Sequence, residues 1–192
     1  MRNTHVSGRA VLAVAGLAAA ALAAVLMLSA SAGAAGKASG KTILTPKTAT
    51  LDALAAEGVT VDVAPDASLG NKGIKFPITG GRLSLDNLNG KIKHSGGLTF
   101  TGNGVTLTLG DFIVKTGRKN VLRASIDGTD AKIRLAVLNL NRSRLRTRGG
   151  RAVVSNVKVL VARRAGRALA ATFGISNYTG AKLGTAEIKI TQ

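Results

Sequence analysis

The chain lacks cysteine and tryptophan, and its 192 residues include only two histidines and one tyrosine. Without cysteine there is neither a disulfide nor a thiol for lipid attachment, so a hydrophobic core alone must stabilise the domain. With only four phenylalanines, that core must consist mainly of valine, isoleucine, leucine and alanine. The chain is therefore long enough for one well-packed domain and does not have the composition of a small disulfide scaffold.

The scarcity of histidine also restricts the chemistry. Outside the N-terminal segment the only histidine is His94, so a Ser-His-Asp triad would have to use it. Its neighbour Ser95 would point to the opposite face of a strand. One histidine and nine scattered acidic residues match no zinc or calcium spacing. We predict no catalytic residues and no metal site.

The first 35 residues have the layout of a secretory signal peptide. Arg2 and Arg9 flank a basic start, residues 11–28 are uncharged and mostly Ala, Leu and Val, and small residues follow. The A-x-A pattern predicts cleavage after Ala32, Ala34 or Ala35. The alternative is an uncleaved membrane anchor, because an apolar run of this length just spans a bilayer. We predict a protein that is secreted or associated with the cell surface or cell wall.

The charge of the remaining chain is strongly positive. Removing Arg2 and Arg9 leaves 25 basic against 9 acidic residues, 25 − 9 = +16, and residues 131–186 contain no acidic residue. Such a field attracts polyanions. The predicted partners are therefore an anionic cell-wall polymer or membrane surface, or a small anionic molecule. A dedicated nucleic-acid role is disfavoured because stacking aromatics are scarce.

Local patterns predict a mainly β domain over residues 50–192. Residues 36–49, rich in Gly, Ser, Lys and Thr, indicate a flexible spacer. A short helix is expected at residues 50–58, capped by Thr50, and a second at residues 162–173, ended by Gly174. About ten short alternating segments between and after them predict an antiparallel β-sandwich or barrel-like domain.

Two details of these strands are specific. Asn103-Gly104 is a two-residue hairpin signal, and Asp127-Gly128 is another hairpin signal. Past Gly110 the apolar positions change parity, which predicts a β-bulge.

Four arginines alternate along one segment, at Arg142, Arg144, Arg146 and Arg148. If the segment is extended, their guanidinium groups line one face, where they suit phosphate or carboxylate. The alternative is an edge strand protected from aggregation by charge.

Several motifs resemble one known family. FPITGG at residues 76–81, LNGKIKHSGGL at residues 88–98, the strand at residues 105–111 and LRA at residues 122–124 are similar to the Htaa-type domain of exported actinobacterial proteins, which is tied to haem uptake. The resemblance implies a non-enzymatic binding module with haem as its ligand. His94 stands at the position of the motif histidine, and Tyr178, the single tyrosine, is the candidate iron ligand.

His94 also has a structural interpretation. Apolar alternation places it on the same strand face as Ile92, where a lone histidine commonly makes hydrogen bonds within the protein. Tyr178 lies in a turn-rich segment and could likewise cover the edge of the core.

Overall fold

The computed structural model describes residues 37–191, and the predicted leader lies outside them. These residues belong to one structural unit. Twelve strands and two helices follow one another along this part of the chain. In chain order they are β1 Ser39–Pro46, α1 Thr48–Ala56, β2 Thr60–Ala64, β3 Ser68–Gly70, β4 Gly73–Leu83, β5 Gly90–His94, β6 Gly97–Gly102, β7 Val105–Thr116, β8 Val121–Ile126, β9 Lys132–Asn139, β10 Arg144–Arg148, β11 Arg151–Val161, α2 Arg163–Phe173 and β12 Lys182–Thr191.

Eight strands close an antiparallel barrel. Their order is β7-β5-β4-β1-β12-β11-β9-β8, and β8 pairs again with β7. The sequence pattern is compatible with both a β-sandwich and a barrel. The pairing of β7 with β8 shows that the sheet closes into a barrel. Outside the ring, β6 pairs with β7 and β2 with β6, β3 pairs with β4, and β10 pairs with β11.

The predicted flexible spacer is wrong. Strand β1 occupies most of it, pairing with β4 on one side and β12 on the other. Ile43 is buried and Thr42 and Leu44 line the interior. Both edges of β1 form backbone hydrogen bonds, with β4 on one side and β12 on the other. This pairing orders a segment whose composition is that of a linker.

The helices lie close to their predicted positions. Helix α2 ends at Gly174, whose left-handed backbone (φ +66°) matches the expected terminator, and Leu169 and Phe173 are buried. The expected cap of α1 is wrong: Lys47 precedes the helix without a side-chain cap, and the Thr50 hydroxyl donates instead to the Lys182 carbonyl at 2.8 Å. No helix within residues 37–191 is long and apolar enough to cross a membrane.

The local turn predictions are confirmed. Asn103-Gly104 connects β6 to β7, with both residues at positive φ. Asp127-Gly128 lies in the turn between β8 and β9. The predicted bulge past Gly110 appears as a register shift between β7 and β8, where Asp111 has φ +48°.

The barrel interior is apolar. Phe76 and Phe112 meet edge to face with ring centroids 5.2 Å apart, and they belong to a cluster that also includes α2. A second cluster fills the other half of the barrel around Ile92, Val154 and Ile188. These clusters hold the strands in one register, and so fix which side chains share an outer face.

The antiparallel ring has two distinct ends. One end holds the first residues of β1, β5, β8 and β11 and the last residues of β4, β7, β9 and β12. This end carries the turns at residues 84–89, 117–120, 140–143 and 149–150. The opposite end carries both helices and the β2–β6 extension, and we call it the helical end.

Candidate functional site

His94 ends strand β5 inside the barrel, as the alternation with Ile92 predicts. It is 4 % exposed and is the only buried polar or charged residue among residues 37–191. Its Nε2 lies 2.7 Å from Thr42 Oγ1, and its Nδ1 lies 3.2 Å from the Phe112 carbonyl oxygen. Both ring nitrogens are therefore used within the protein.

These partners define the protonation of the ring. A carbonyl only accepts, so Nδ1–H donates to Phe112 and Nε2 accepts the Thr42 hydroxyl proton. Burial in apolar surroundings lowers the pKa of His94 from 6.5 to about 4, while the bond to the Phe112 carbonyl raises it. The imidazole is neutral at physiological pH.

The space beside His94 is small. It is an apolar cavity of about 60 Å³, room for a few water-sized molecules. A site for a drug-sized ligand or cofactor has roughly 300–1,000 Å³. The residues around His94 therefore do not fit a haem, because neither the volume nor a free ring nitrogen is provided.

Tyr178 occupies a different environment. It is half-buried against the cluster that contains α2. Its hydroxyl donates to Glu57 Oε1 at 2.7 Å, and the Ser176 backbone N–H donates to Glu57 Oε2 at 2.5 Å. The pKa of the Tyr178 hydroxyl is raised, mainly by partial desolvation and to a smaller extent by its hydrogen bond to Glu57. The pKa of the Glu57 carboxyl group is lowered, mainly by the hydrogen bond from the Ser176 backbone and then by the one from Tyr178.

The two predicted haem residues are not brought together. Tyr178 is not among the residues that line the His94 cavity. Instead it ties the segment after α2 to the end of α1. Its observed contacts match the interpretation of a side chain that covers the core edge.

The predicted arginine series is only partly a strand. Arg144, Arg146 and Arg148 are exposed along β10, which pairs only with β11, whereas Arg142 lies in the preceding turn. The backbone carbonyl of Arg142 accepts a hydrogen bond from Asn156 Nδ2 at 2.8 Å. The three strand arginines thus occupy a sheet edge, where charge discourages pairing with another chain.

The end of the barrel opposite the helices is rich in cations, and we call it the basic end. It holds nine exposed basic residues, contributed by the strand ends and by two of its four turns. They are Lys37, Arg82, Lys91, Lys115, Arg118, Lys119, Arg142, Arg148 and Arg151. The one acidic residue in its turns is Asp86.

Three of these cations stand side by side on adjacent strands. Arg82 of β4 is directly opposite Lys91 of β5, and Lys91 is directly opposite Lys115 of β7. The single salt bridge within residues 37–191 joins Lys189 to Glu187, so none of the three has a carboxylate partner there. We call Arg82, Lys91 and Lys115 the cation row.

A groove adjoins the cation row. It is open, has a volume of about 580 Å³, and is lined by Lys37, Arg82, Lys91 and two glycines, Gly81 and Gly90. The Ala38 N–H donates to the Gly81 carbonyl at 3.1 Å, which holds Lys37 beside the groove. The lining thus provides three cationic groups and no acidic side chain.

Acidic residues are concentrated elsewhere. The chain has nine acidic residues. Seven of them lie in the half of the barrel next to the helical end, which we call the helical half, and Glu187 is paired with Lys189. Within residues 37–191 no group of three or more acidic, histidine or cysteine side chains could hold a metal ion. The seven are Asp52, Glu57, Asp62, Asp66, Asp111, Asp127 and Asp130.

Sequence reasoning missed the cation row. It identified the strong positive charge of the chain. The members of the row are separated in sequence at positions 82, 91 and 115, and only the pairing of β4, β5 and β7 aligns them. No local motif indicates that alignment.

The fold has counterparts among solved structures. The C-terminal domain of HtaA from Corynebacterium glutamicum matches with a TM-score of 0.60 and 17 % identity, covering 81 % of this chain and 99 % of that one. A domain-swapped dimer of a single-residue variant of that domain matches with a TM-score of 0.53 and 18 % identity, covering 75 % and 88 %. The chain therefore has an HtaA-like fold. No family model matches the chain, and no curated protein does so.

Proposed function

We propose that this protein is an exported, non-enzymatic binding module that holds anionic ligands at the basic end of its barrel. The cation row carries this proposal. Like charges directly opposite one another destabilise a sheet, and the described residues provide no carboxylate to relieve them. An anion lying across Arg82, Lys91 and Lys115 would supply the missing charge.

The groove beside the row supports the same interpretation. It is open to solvent, and the side chains of Lys37, Arg82 and Lys91 line it. Arginine and lysine side chains bind phosphate and carboxylate oxygens through charge-assisted hydrogen bonds. Because the groove is open, the side chains can adapt to anions of different shape, and a broad specificity is expected.

A retention experiment tests this function. The purified protein is applied to phosphocellulose and eluted with increasing salt, beside the variant Arg82→Gln/Lys91→Gln/Lys115→Gln. The matched control is Arg163→Gln/Arg164→Gln/Arg167→Gln, which removes the same charge from the exposed face of α2. We expect the row variant to elute at clearly lower salt than the control. Equal elution of the two variants would contradict a site at the basic end.

Haem is the ligand that the sequence resemblance implies, and its carboxylates place it among candidate anions. The barrel interior does not fit it, so a haem would have to bind outside the His94 cavity. The test is a haemin titration followed by the Soret band, with His94→Ala beside the original protein. We expect no change in the Soret band that depends on His94. A saturable shift that His94→Ala weakens would restore the histidine as a haem residue.

Export is the remaining part of the proposal. The leader pattern predicts a mature protein that begins at Gly33, Ala35 or Gly36. N-terminal sequencing of the protein from culture medium and from the cell surface tests this. Recovery of the full chain from the membrane fraction would instead support the uncleaved anchor.

A further inference from the structure

We infer that the basic end is a docking surface for the anionic headgroups of a lipid membrane. This inference rests on the proposed anion-binding function and names its partner. Lipid phosphates offer the same chemistry as a soluble phosphate polymer. Two features of this end favour the bilayer surface.

The first feature is the arrangement of the cations. They are supplied by the segment just before β1, the ends of β4, β7 and β10, the starts of β5 and β11, and the turns at residues 117–120 and 140–143. These elements belong to strands all around the ring. A planar anionic surface can meet such a rim at many points together, whereas a linear polymer would follow one row of charges.

The second feature is apolar. Leu85 and Leu88 in the turn after β4, Leu140 in the turn after β9, and Leu145 in β10 are only partly buried and pack against the core cluster of this half of the barrel. Leu140 and Leu145 lie among the arginines at residues 142–148, whereas Leu85 and Leu88 lie in a turn without cations at the same end of the barrel. A mixture of cations and partly exposed aliphatic side chains is typical of surfaces that contact lipid headgroups.

The charge at the other end favours one orientation. Seven acidic residues belong to the helical half, where they offset its cations. An anionic surface therefore attracts the basic end more strongly. Docking should place the turn at residues 140–143 against the headgroups and α2 away from them.

Co-sedimentation with vesicles tests the docking. The purified protein is mixed with vesicles of phosphatidylcholine alone and with vesicles containing phosphatidylglycerol. We expect binding only to the anionic vesicles, and binding that weakens as salt rises. Each basic residue near an anionic surface contributes on the order of a fivefold increase in affinity, so the triple row variant should bind about a hundredfold more weakly. The α2 control variant should retain most of the binding.

Site-specific labels test the orientation. The chain has no cysteine, so Asn141→Cys at the basic end and Ala168→Cys on α2 each provide one labelling position, and both residues are exposed. Nitroxide-bearing lipid headgroups should quench a fluorophore at position 141 and leave one at position 168 unaffected. Equal quenching at both positions, or stronger quenching on α2, would overturn the proposed orientation.

Soluble polyphosphate separates the two proposals. Charge-dependent binding to polyphosphate and phosphocellulose, without binding to anionic vesicles, would overturn the lipid partner and leave the anion-binding function intact. Failure to bind any of the three would overturn both. Binding to phosphatidylcholine vesicles equal to that on anionic vesicles would contradict a headgroup-charge mechanism.

Discussion

Thr42 and His94 are joined by a hydrogen bond that crosses the inside of the barrel. Thr42 Oγ1 lies 2.7 Å from His94 Nε2, although β4 lies between their strands, β1 and β5. The bond satisfies a ring nitrogen that apolar side chains otherwise surround. We interpret His94 as a structural residue that links β1 to β5.

Removing the threonine hydroxyl should therefore destabilise the fold. Thr42→Val keeps the volume and leaves Nε2 without a donor, which costs about 1–3 kcal/mol in a buried site. Urea unfolding measures this difference, with Thr42→Ser as the control that keeps the hydroxyl. Equal losses of unfolding free energy in Thr42→Val and Thr42→Ser would show that packing at position 42, and not the hydrogen bond, causes the destabilisation.

The buried imidazole should make stability depend on pH. The pKa of His94 is lowered from 6.5 to about 4 in the folded protein. Between these values the unfolded chain binds more protons. The stabilisation is therefore complete above pH 6.5 and is lost as the pH falls to 4. The full loss is about 3 kcal/mol.

Unfolding at pH 7.5 and at pH 4.5 checks this sign and size. His94→Gln should show a smaller difference between the two conditions, since it keeps every carboxylate but lacks the titrating ring. The same pH dependence in both proteins would mean that the carboxylates alone are responsible.

Tyr178 should titrate above its usual pKa of 10. Desolvation and the bond to Glu57 both raise the pKa of its hydroxyl. It is the only tyrosine and the chain has no tryptophan, so absorbance at alkaline pH reports this one group. In Glu57→Gln, which removes the negative charge, the midpoint should move down. A midpoint unaffected by Glu57→Gln would mean that the carboxylate is not a partner of Tyr178 in solution.

Gly81 should be hard to replace. It has φ +109°, and a Cβ there would lie 2.1 Å from the Lys91 carbonyl oxygen. Gly81→Ala should cost at least about 2 kcal/mol. Gly128→Ala is the control, because Gly128 also has positive φ but has open space around it, and its cost should be about 1 kcal/mol. Thermal melts of the two variants compare them, and similar melting temperatures would argue against close contact between β4 and β5.

The arginines of β10 should protect a sheet edge. Arg144→Thr/Arg146→Thr/Arg148→Thr keeps a good strand former at each position and removes the charge. We expect this variant to remain folded and to aggregate faster, as followed by light scattering at constant salt. Unchanged aggregation would show that the charge of these arginines does not protect the edge of the sheet.

Much of the local structure could be predicted because it depends on neighbours in the chain. The Asn103-Gly104 turn, the change of parity past Gly110 and the Gly174 helix end each reflect backbone preferences of a few residues. Placing His94 beside Ile92 on one face required only the two-residue period of a strand. These predictions are confirmed, and they correctly located the one polar side chain that is buried within residues 37–191.

Strand β1 shows where local reasoning fails. Its sequence, Ser39–Pro46, has few apolar residues and resembles a linker. It becomes a strand because β4 and β12 supply hydrogen-bonding partners on both sides. The predicted Thr50 cap is wrong for a similar reason. The Thr50 hydroxyl donates its hydrogen bond to the carbonyl oxygen of Lys182, which is distant in the sequence. Neither partner could be identified before the ring was known.

Composition and short-range periodicity were enough to predict the β character, the two helices and the positive charge, because these properties depend on residues close together in the chain. The closure of the sheet, the absence of a free nitrogen on His94 and the row formed by Arg82, Lys91 and Lys115 emerge only in the folded molecule. Each of these depends on pairings between strands far apart in the chain. Such pairings follow from the packing of the whole interior, which selects one register for the ring.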